Sequence, residues 1–365
     1  MFKCAKAIAV ILAVGLAACA IFGGGALAQK GGKARPRVIS FYEVKGWTTR
    51  VIGTMDASGG NRSDVLVDHS IVQFSARWSS DGLWLGGYVR PVDPDQTDYA
   101  IFRIRPDGTD EREVVRYADV DLYNRALGRK SVIDVFGPDA AGVAEACWGP
   151  AGTMFFVAPV VYTITLQTGE TVDRIGDRIF GVDVETGDVF QVTNEPTGYD
   201  DAWPHYSPAL GKIVFVSDRT RKQELFVVNP DGSGLQQLTN FNDGLNIWNA
   251  VWNRAGTALA VSRAQSSPGD GNSDVWILHV GEDANNPGTL LVTESFVLRG
   301  DPNENEKAAA WSPDDSRLLI SRSSHQIVSI NMTDRNYPET ILVNARVRDG
   351  TAIAAGDWNP VAPSP

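Results

Sequence analysis

Cysteine is scarce in this chain. Three occur in 365 residues, and two of them, Cys4 and Cys19, lie in an apolar N-terminal stretch. Once that stretch is removed only Cys147 remains, which excludes an intramolecular disulfide even in an oxidising compartment. Cys147 stands directly before Trp148 in an apolar context and reads as a buried core thiol. A large domain buries enough apolar surface to fold without such staples. Basic charge is also in deficit, with 33 Lys and Arg against 44 Asp and Glu and a net charge of −11. Loss of the N-terminal stretch, which carries Lys3 and Lys6 but no acid, deepens the imbalance. Nucleic acid and anionic membrane surfaces both require a basic footprint, so the balance argues against either as partner. Cations or basic protein surfaces fit better. Beyond the N-terminus no stretch is long and apolar enough to span a bilayer. The G-x-S-x-G elbow of a serine hydrolase and the D-x-D-x-D-G spacing of an EF-hand loop are both absent.

The N-terminus carries an export signal. Lys3 and Lys6 form a positive start, Ala7 to Phe22 is uncharged and apolar, and Ala26-Leu27-Ala28 offers a cleavage site before Gln29. A second reading stands beside this one: Leu16-Ala17-Ala18-Cys19 resembles a lipobox, in which Cys19 would be lipidated and the protein membrane-anchored. Apolar residues continue past Cys19 (Ala20, Ile21, Phe22), which favours simple cleavage. Either way the chain is expected to be exported, to the periplasm or the exterior, as residues 1–28 of signal, 29–36 of linker and 37–365 of folded domain.

What is abundant is repetition. Six times an aromatic residue is followed by a tight-turn cluster and a short β-rich run: Trp78-Ser79-Ser80-Asp81-Gly82, Trp148-Gly149-Pro150-Ala151-Gly152, Tyr206-Ser207-Pro208-Ala209, Trp252-Asn253-Arg254-Ala255-Gly256, Trp311-Ser312-Pro313-Asp314-Asp315 and Trp358-Asn359-Pro360. A unit recurring at this spacing is the signature of a repeat architecture. The clearest copy alternates over Lys212–Ser217, turns, alternates again over Glu224–Asn229, turns tightly at Pro230-Asp231-Gly232-Ser233 and ends on Leu235–Thr239. With its leading strand this is a four-stranded antiparallel meander, one propeller blade. Arg37–Glu43, Arg50–Met55 and Asp64–Val67 supply three strands without a leading one, and 355–361 supply a leading strand with nothing after it. The expected fold is therefore an all-β, six-bladed propeller whose termini complete one blade together and remove the open edge.

These units resemble the TolB-type propeller repeats. Trp311-Ser312-Pro313-Asp314, Ser217-Asp218-Arg219, Asp231-Gly232-Ser233-Gly234 and Leu238-Thr239 stand where that family has its W-S-P-D, S-D-R, D-G-S-G and L-T motifs. The resemblance spans residues 37–361 and implies the fold; the motif residues themselves make turns and inter-blade contacts. TolB itself carries an α/β domain before its propeller, and the stretch between Gln29 and Arg37 has no room for one.

Candidate functional residues come from position in the repeat. The recurring aromatics share one equivalent site and are expected to pack between blades. Trp203 and Trp248 fall outside that register and are expected on loops, as exposed contacts. The segments before the leading strands hold Asp68, Glu145, Asp200-Asp201, Asp301, Asn303-Glu304-Asn305-Glu306 and Asp349, which would focus a negative potential at the channel mouth. Four histidines occur, of which His69 and His205 precede leading strands and would approach the channel, while His279 and His325 lie in or beside turns. Oligogalacturonate lyases are similar propellers that hold a metal through several His and a Gln; two such His support that likeness only weakly. Long connections at Arg90–Asp98, Arg116–Glu145 (with a short helix at Leu122–Leu127), Ala158–Arg178 and Gln265–Ser273 all project opposite the Asp-Gly turns, and long loops on a rigid scaffold are where function concentrates.

The resulting expectation is a monomeric recognition scaffold that binds a basic or envelope-associated protein or peptide through Asp200, Asp201, Trp203, His205, Trp248, Asn303 and Glu304. It needs no cofactor and has no catalytic or metal-ligand set, although a channel-mouth divalent cation stays open. The alternative is a polysaccharide lyase, or a cation-dependent hydrolase or lyase, acting at the channel mouth. Three convergent His would favour the enzyme; an apolar, aromatic patch among the insertions would favour the scaffold.

Overall fold

The computed structural model describes residues 36–46, 49–68, 76–89, 100–194, 198–265, 273–300, 304–345 and 352–361. The expectations for the signal segment, Cys19, His69, Asp301, Asn303 and Asp349 lie outside them. Among the described residues six four-stranded antiparallel sheets form, each strand pairing with its neighbour in sequence. The exception is the first blade, where Ala352–Trp358 forms the inner strand beside Ile39–Lys45. The terminal closure read from the sequence is thus present, with Ile39 opposite Trp358 and Glu43 opposite Ile353.

The core lies between blades. Ile39, Phe41 and Met55 of the first blade pack on Ala310, Leu319 and Ile327 of the sixth, and Val214 and Leu225 of the fourth pack on Trp252 and Leu259 of the fifth. The repeated aromatics Trp78, Trp252, Trp311 and Trp358 are all buried in these seams. Two aromatics also tie backbone across a seam: the Trp148 indole donates to the Arg77 carbonyl at 2.9 Å and Trp311 to that of Val251 at 3.2 Å. The recurring Asp residues lock turns. Asp107 accepts from the Thr109 amide and hydroxyl, and Asp231 from those of Ser233; these hydrogen bonds hold both carboxyls below the ordinary range.

Two of the anticipated insertions carry regular structure, one of them around the helix expected at Leu122–Leu127. Residues 158–178 extend a hairpin: Thr153–Thr165 and Thr171–Asp183 stay paired over their whole length. The connection after the second blade folds into α1 (Tyr117–Ala126) and α2 (Val132–Phe136). Helix α1 begins where the Asp119 carboxylate accepts the Arg116 amide at 2.9 Å and stops before Gly128, whose φ of +75° suits a helix C-terminus. No helix among the described residues is long and apolar enough to cross a membrane.

Candidate functional site: the long-loop end of the channel

The inner strands are Ala352–Trp358, Arg77–Trp78, Ala144–Trp148, Asp201–Ser207, Asn246–Trp252 and Glu306–Trp311. In five of them the pairing with the next strand slips just ahead of the aromatic. A bulge at this point re-aims side chains that would otherwise alternate. At Glu145 and Trp203 the backbone adopts positive φ, +54° and +55°, a conformation costly for non-glycine residues. The strain coincides with a cavity: residues of all six blades line a space of about 400 Å³ that includes Arg77, Glu145, Trp203, Trp248, Asn249 and Lys307.

Three of these residues form one arrangement. The Trp203 amide donates to Glu145 Oε2 at 2.5 Å, and Lys307 Nζ sits 4.5 Å from the centroid of the Trp203 ring. Burial pushes the Glu145 carboxyl up to about 7, against the opposing pull of the Trp203 amide. Burial likewise brings Lys307 down to about 8, with Arg77 adding to the effect and Glu145 opposing it. Arg77 donates from Nη1 to the Ala309 carbonyl at 2.8 Å. It lines both the large cavity and a small one of about 40 Å³.

Folded Glu145 keeps its proton to higher pH than it would in an unfolded chain, whose carboxyl titrates near 4.5. The folded state therefore binds more protons between these values, and stability falls as pH rises through them. Glu145→Gln should flatten that dependence. Thermal melts of the two proteins from about pH 4.5 to 7 check this, and parallel curves would sink the assignment.

Several sequence expectations are relocated. Trp203 and Trp248 lie within inner strands, not on loops, and face the channel cavity. Asp200 is exposed; it accepts the Asp177 amide at 3.0 Å, and its own amide donates to Asp218. Asp201 is corrected: it is fully buried and paired with Arg219 at 2.7 Å, so it presents no charge at the mouth. Glu306 is likewise buried and paired with Arg322 at 3.0 Å. The acidic rim is therefore weaker than the sequence suggests. His205 is also corrected. It lines the small cavity on the tight-turn side, where its Nδ1 accepts the Trp252 amide at 3.3 Å. Burial, reinforced by Arg77 and Arg254, holds it well below the usual range and hence neutral. Glu304 accepts a hydrogen bond from the Ser323 hydroxyl and lines a separate cleft with Arg299 and Arg322. The His279 ring lies tilted against that of Phe296, and His325 sits in a turn beside the Ser323 carbonyl. Among the described residues no three His, Cys, Asp or Glu side chains are grouped to hold a metal. Cys147 is buried, which pushes its thiol up to about 12.

Sequence reasoning singled out neither Lys307 nor Arg77. The signal was present in the repeat itself. The residue three or four places before the aromatic is Glu145, Trp203, Trp248 or Lys307 in successive blades, where a purely structural repeat has no need of large or charged side chains.

A six-bladed ring with a lined central channel defines the class: a β-propeller. Its fold is TolB-like. TolB from Acinetobacter baumannii superposes with a TM-score of 0.57 at 14% identity, over 88% of this chain and 67% of that one. Kuenenia stuttgartiensis hydrazine synthase gives 0.56 at 12% identity, over 90% of this chain and 48% of that one. A chain of a nidogen/laminin complex gives 0.50 at 10% identity, over 87% and 96%. No family model and no curated protein matches the chain.

Proposed function

We propose that this protein is an exported recognition scaffold that binds a protein or peptide partner through its long-loop face, in the periplasm or at the cell exterior. One observation carries the reading. The α1–α2 insertion exposes Leu122 (65%), Leu127 (54%), Ile133, Val135 and Phe136 (40%) together. Exposed apolar residues clustered in one insertion mark an interaction surface more often than chance placement. The insertion is fastened down, so its exposure is not that of a loose segment. Val120 and Val132 are buried against the third blade, Lys130 pairs with Asp173 of the long hairpin at 2.6 Å, and Arg125 joins Asp121 of α1 to Asp134 of α2. By its connection between outer and inner strands it emerges on the face opposite the Asp-Gly turns, and Asp200 supplies exposed acidic charge on that same face.

The test is retention of a partner from envelope extracts by immobilised protein. Wild type and a Glu111→Lys control on the tight-turn face should retain the same partner. The double variant Leu122→Asp, Phe136→Asp should lose it by about tenfold or more, since apolar anchors dominate interface energetics. Surface changes of this kind should leave folding within about 0.5 kcal/mol. Undiminished retention by the double variant would refute the assignment.

A further inference from the structure

The channel cavity is separate from that patch, and its charge is opposite to that of the protein. Arg77 and Lys307 place two cations in its lining against one carboxyl, Glu145, in a chain of net charge −11. Lys307 is the unusual member. Among the described residues its ammonium makes no ion pair, and its close contact is the Trp203 ring. Glu145 is the acid that acts on it, and only when ionised; with Glu145 protonated the buried cation is left uncompensated, which is costly, and an anion in the cavity would relieve that cost. The rest of the lining is apolar or neutral: Trp203 and Trp248 on the walls, Ala308, Ala309 and Ala355 beside them, and hydroxyls at Ser262 and Ser321. A cationic ligand would find the Trp203 face already occupied by Lys307.

We propose that the long-loop end of the channel binds an organic carboxylate, its anionic head at Lys307 and its apolar body against Trp203 and Trp248. This rests on the cavity alone and stands or falls independently of the partner-binding patch. A volume near 400 Å³ admits a small acid or the end of a peptide, not a folded domain. Glu145 takes part as a hydrogen-bond partner. Protonated, it donates to the incoming carboxylate; ionised, it repels it. Asp177 lies close enough to Glu145 to favour the protonated form. Binding is therefore strongest on the acid side of neutrality. It weakens as Glu145 ionises, and weakens again when Lys307 loses its proton.

Titration calorimetry of the purified protein, with tryptophan fluorescence as a second readout, tests the assignment. One arm uses phenylacetate against phenylacetamide, for a free acid; the other uses acetyl-glycyl-phenylalanine with free or amidated C-terminus, for a peptide end. In at least one arm the acid should bind about tenfold or more tightly than its amide, and the arm that responds identifies the source of the carboxylate. Lys307→Met should abolish that preference, while Lys307→Arg, which keeps the charge, should retain it and so separates loss of charge from loss of fold. Glu145→Gln should keep the preference and lose only the weakening near neutral pH. Acid and amide binding equally in both arms, no binding in either, or an undiminished preference in Lys307→Met would overturn the proposal.

Discussion

Removing residues 355–365 should leave the chain unable to reach a closed, monomeric fold. The deleted segment contains most of the first blade's inner strand, and Trp358 within it is wholly buried against the seam with the sixth blade. Its backbone is held from both sides: Arg254 donates to the Trp358 carbonyl at 2.8 Å, and the Asn359 amide to the Val38 carbonyl at 2.7 Å. Trp358→Ala alone should cost about 3–5 kcal/mol, the range for emptying an aromatic site in a core. The deletion adds lost strand pairing and bares the edge of Ile39–Lys45, an invitation to association. Thermal melting with size-exclusion chromatography decides the matter. A truncated protein that stays monomeric and melts where the intact chain does would show that the ring does not depend on its terminal strand.

Adjacent acids should behave in opposite ways. Asp201→Ala should destabilise the fold by about 3–5 kcal/mol, because it leaves the Arg219 guanidinium without its buried counter-charge. That guanidinium is stacked 4.5 Å from the Tyr199 ring centroid and 4.6 Å from that of Phe226, so it cannot retreat to solvent without unpacking the blade. Asp200→Ala should cost about 1 kcal/mol or less: it removes one exposed hydrogen bond to the Asp177 amide and also a like charge beside Asp177, whose carboxyl is raised to about 6 by burial first and by Asp200 second. Urea denaturation of both variants measures the difference. Equal losses would mean that the buried Asp201–Arg219 pair does not carry the stability assigned to it.

The contrast between these neighbours explains how much could be read from the sequence. Turn chemistry, strand alternation and the repeated aromatics are local signals, and they were sufficient for the six blades and for the joining of the termini. The S-D-R motif showed where Arg219 stands but not that it reaches back to Asp201. In a strand one step of the chain exchanges the inside for the outside, so Asp200 and Asp201 look alike in sequence and differ wholly in burial. The channel residues were hidden for a related reason. Bulges displace Glu145, Trp203 and Trp248 from simple alternation, and Lys307 sits inside a polar run that reads as an ordinary loop. Only the register of each inner strand against its neighbour reveals which of these side chains look inward.

Arg77, held by its bond to the Ala309 carbonyl, belongs to the lining of two cavities at once. Its charge is felt by Lys307 in the larger and by His205 in the smaller, and it disfavours the protonated form of both. A substitution there would therefore speak to both ends of the ring in one stroke, easing the protonation of a lysine and of a histidine that line different cavities.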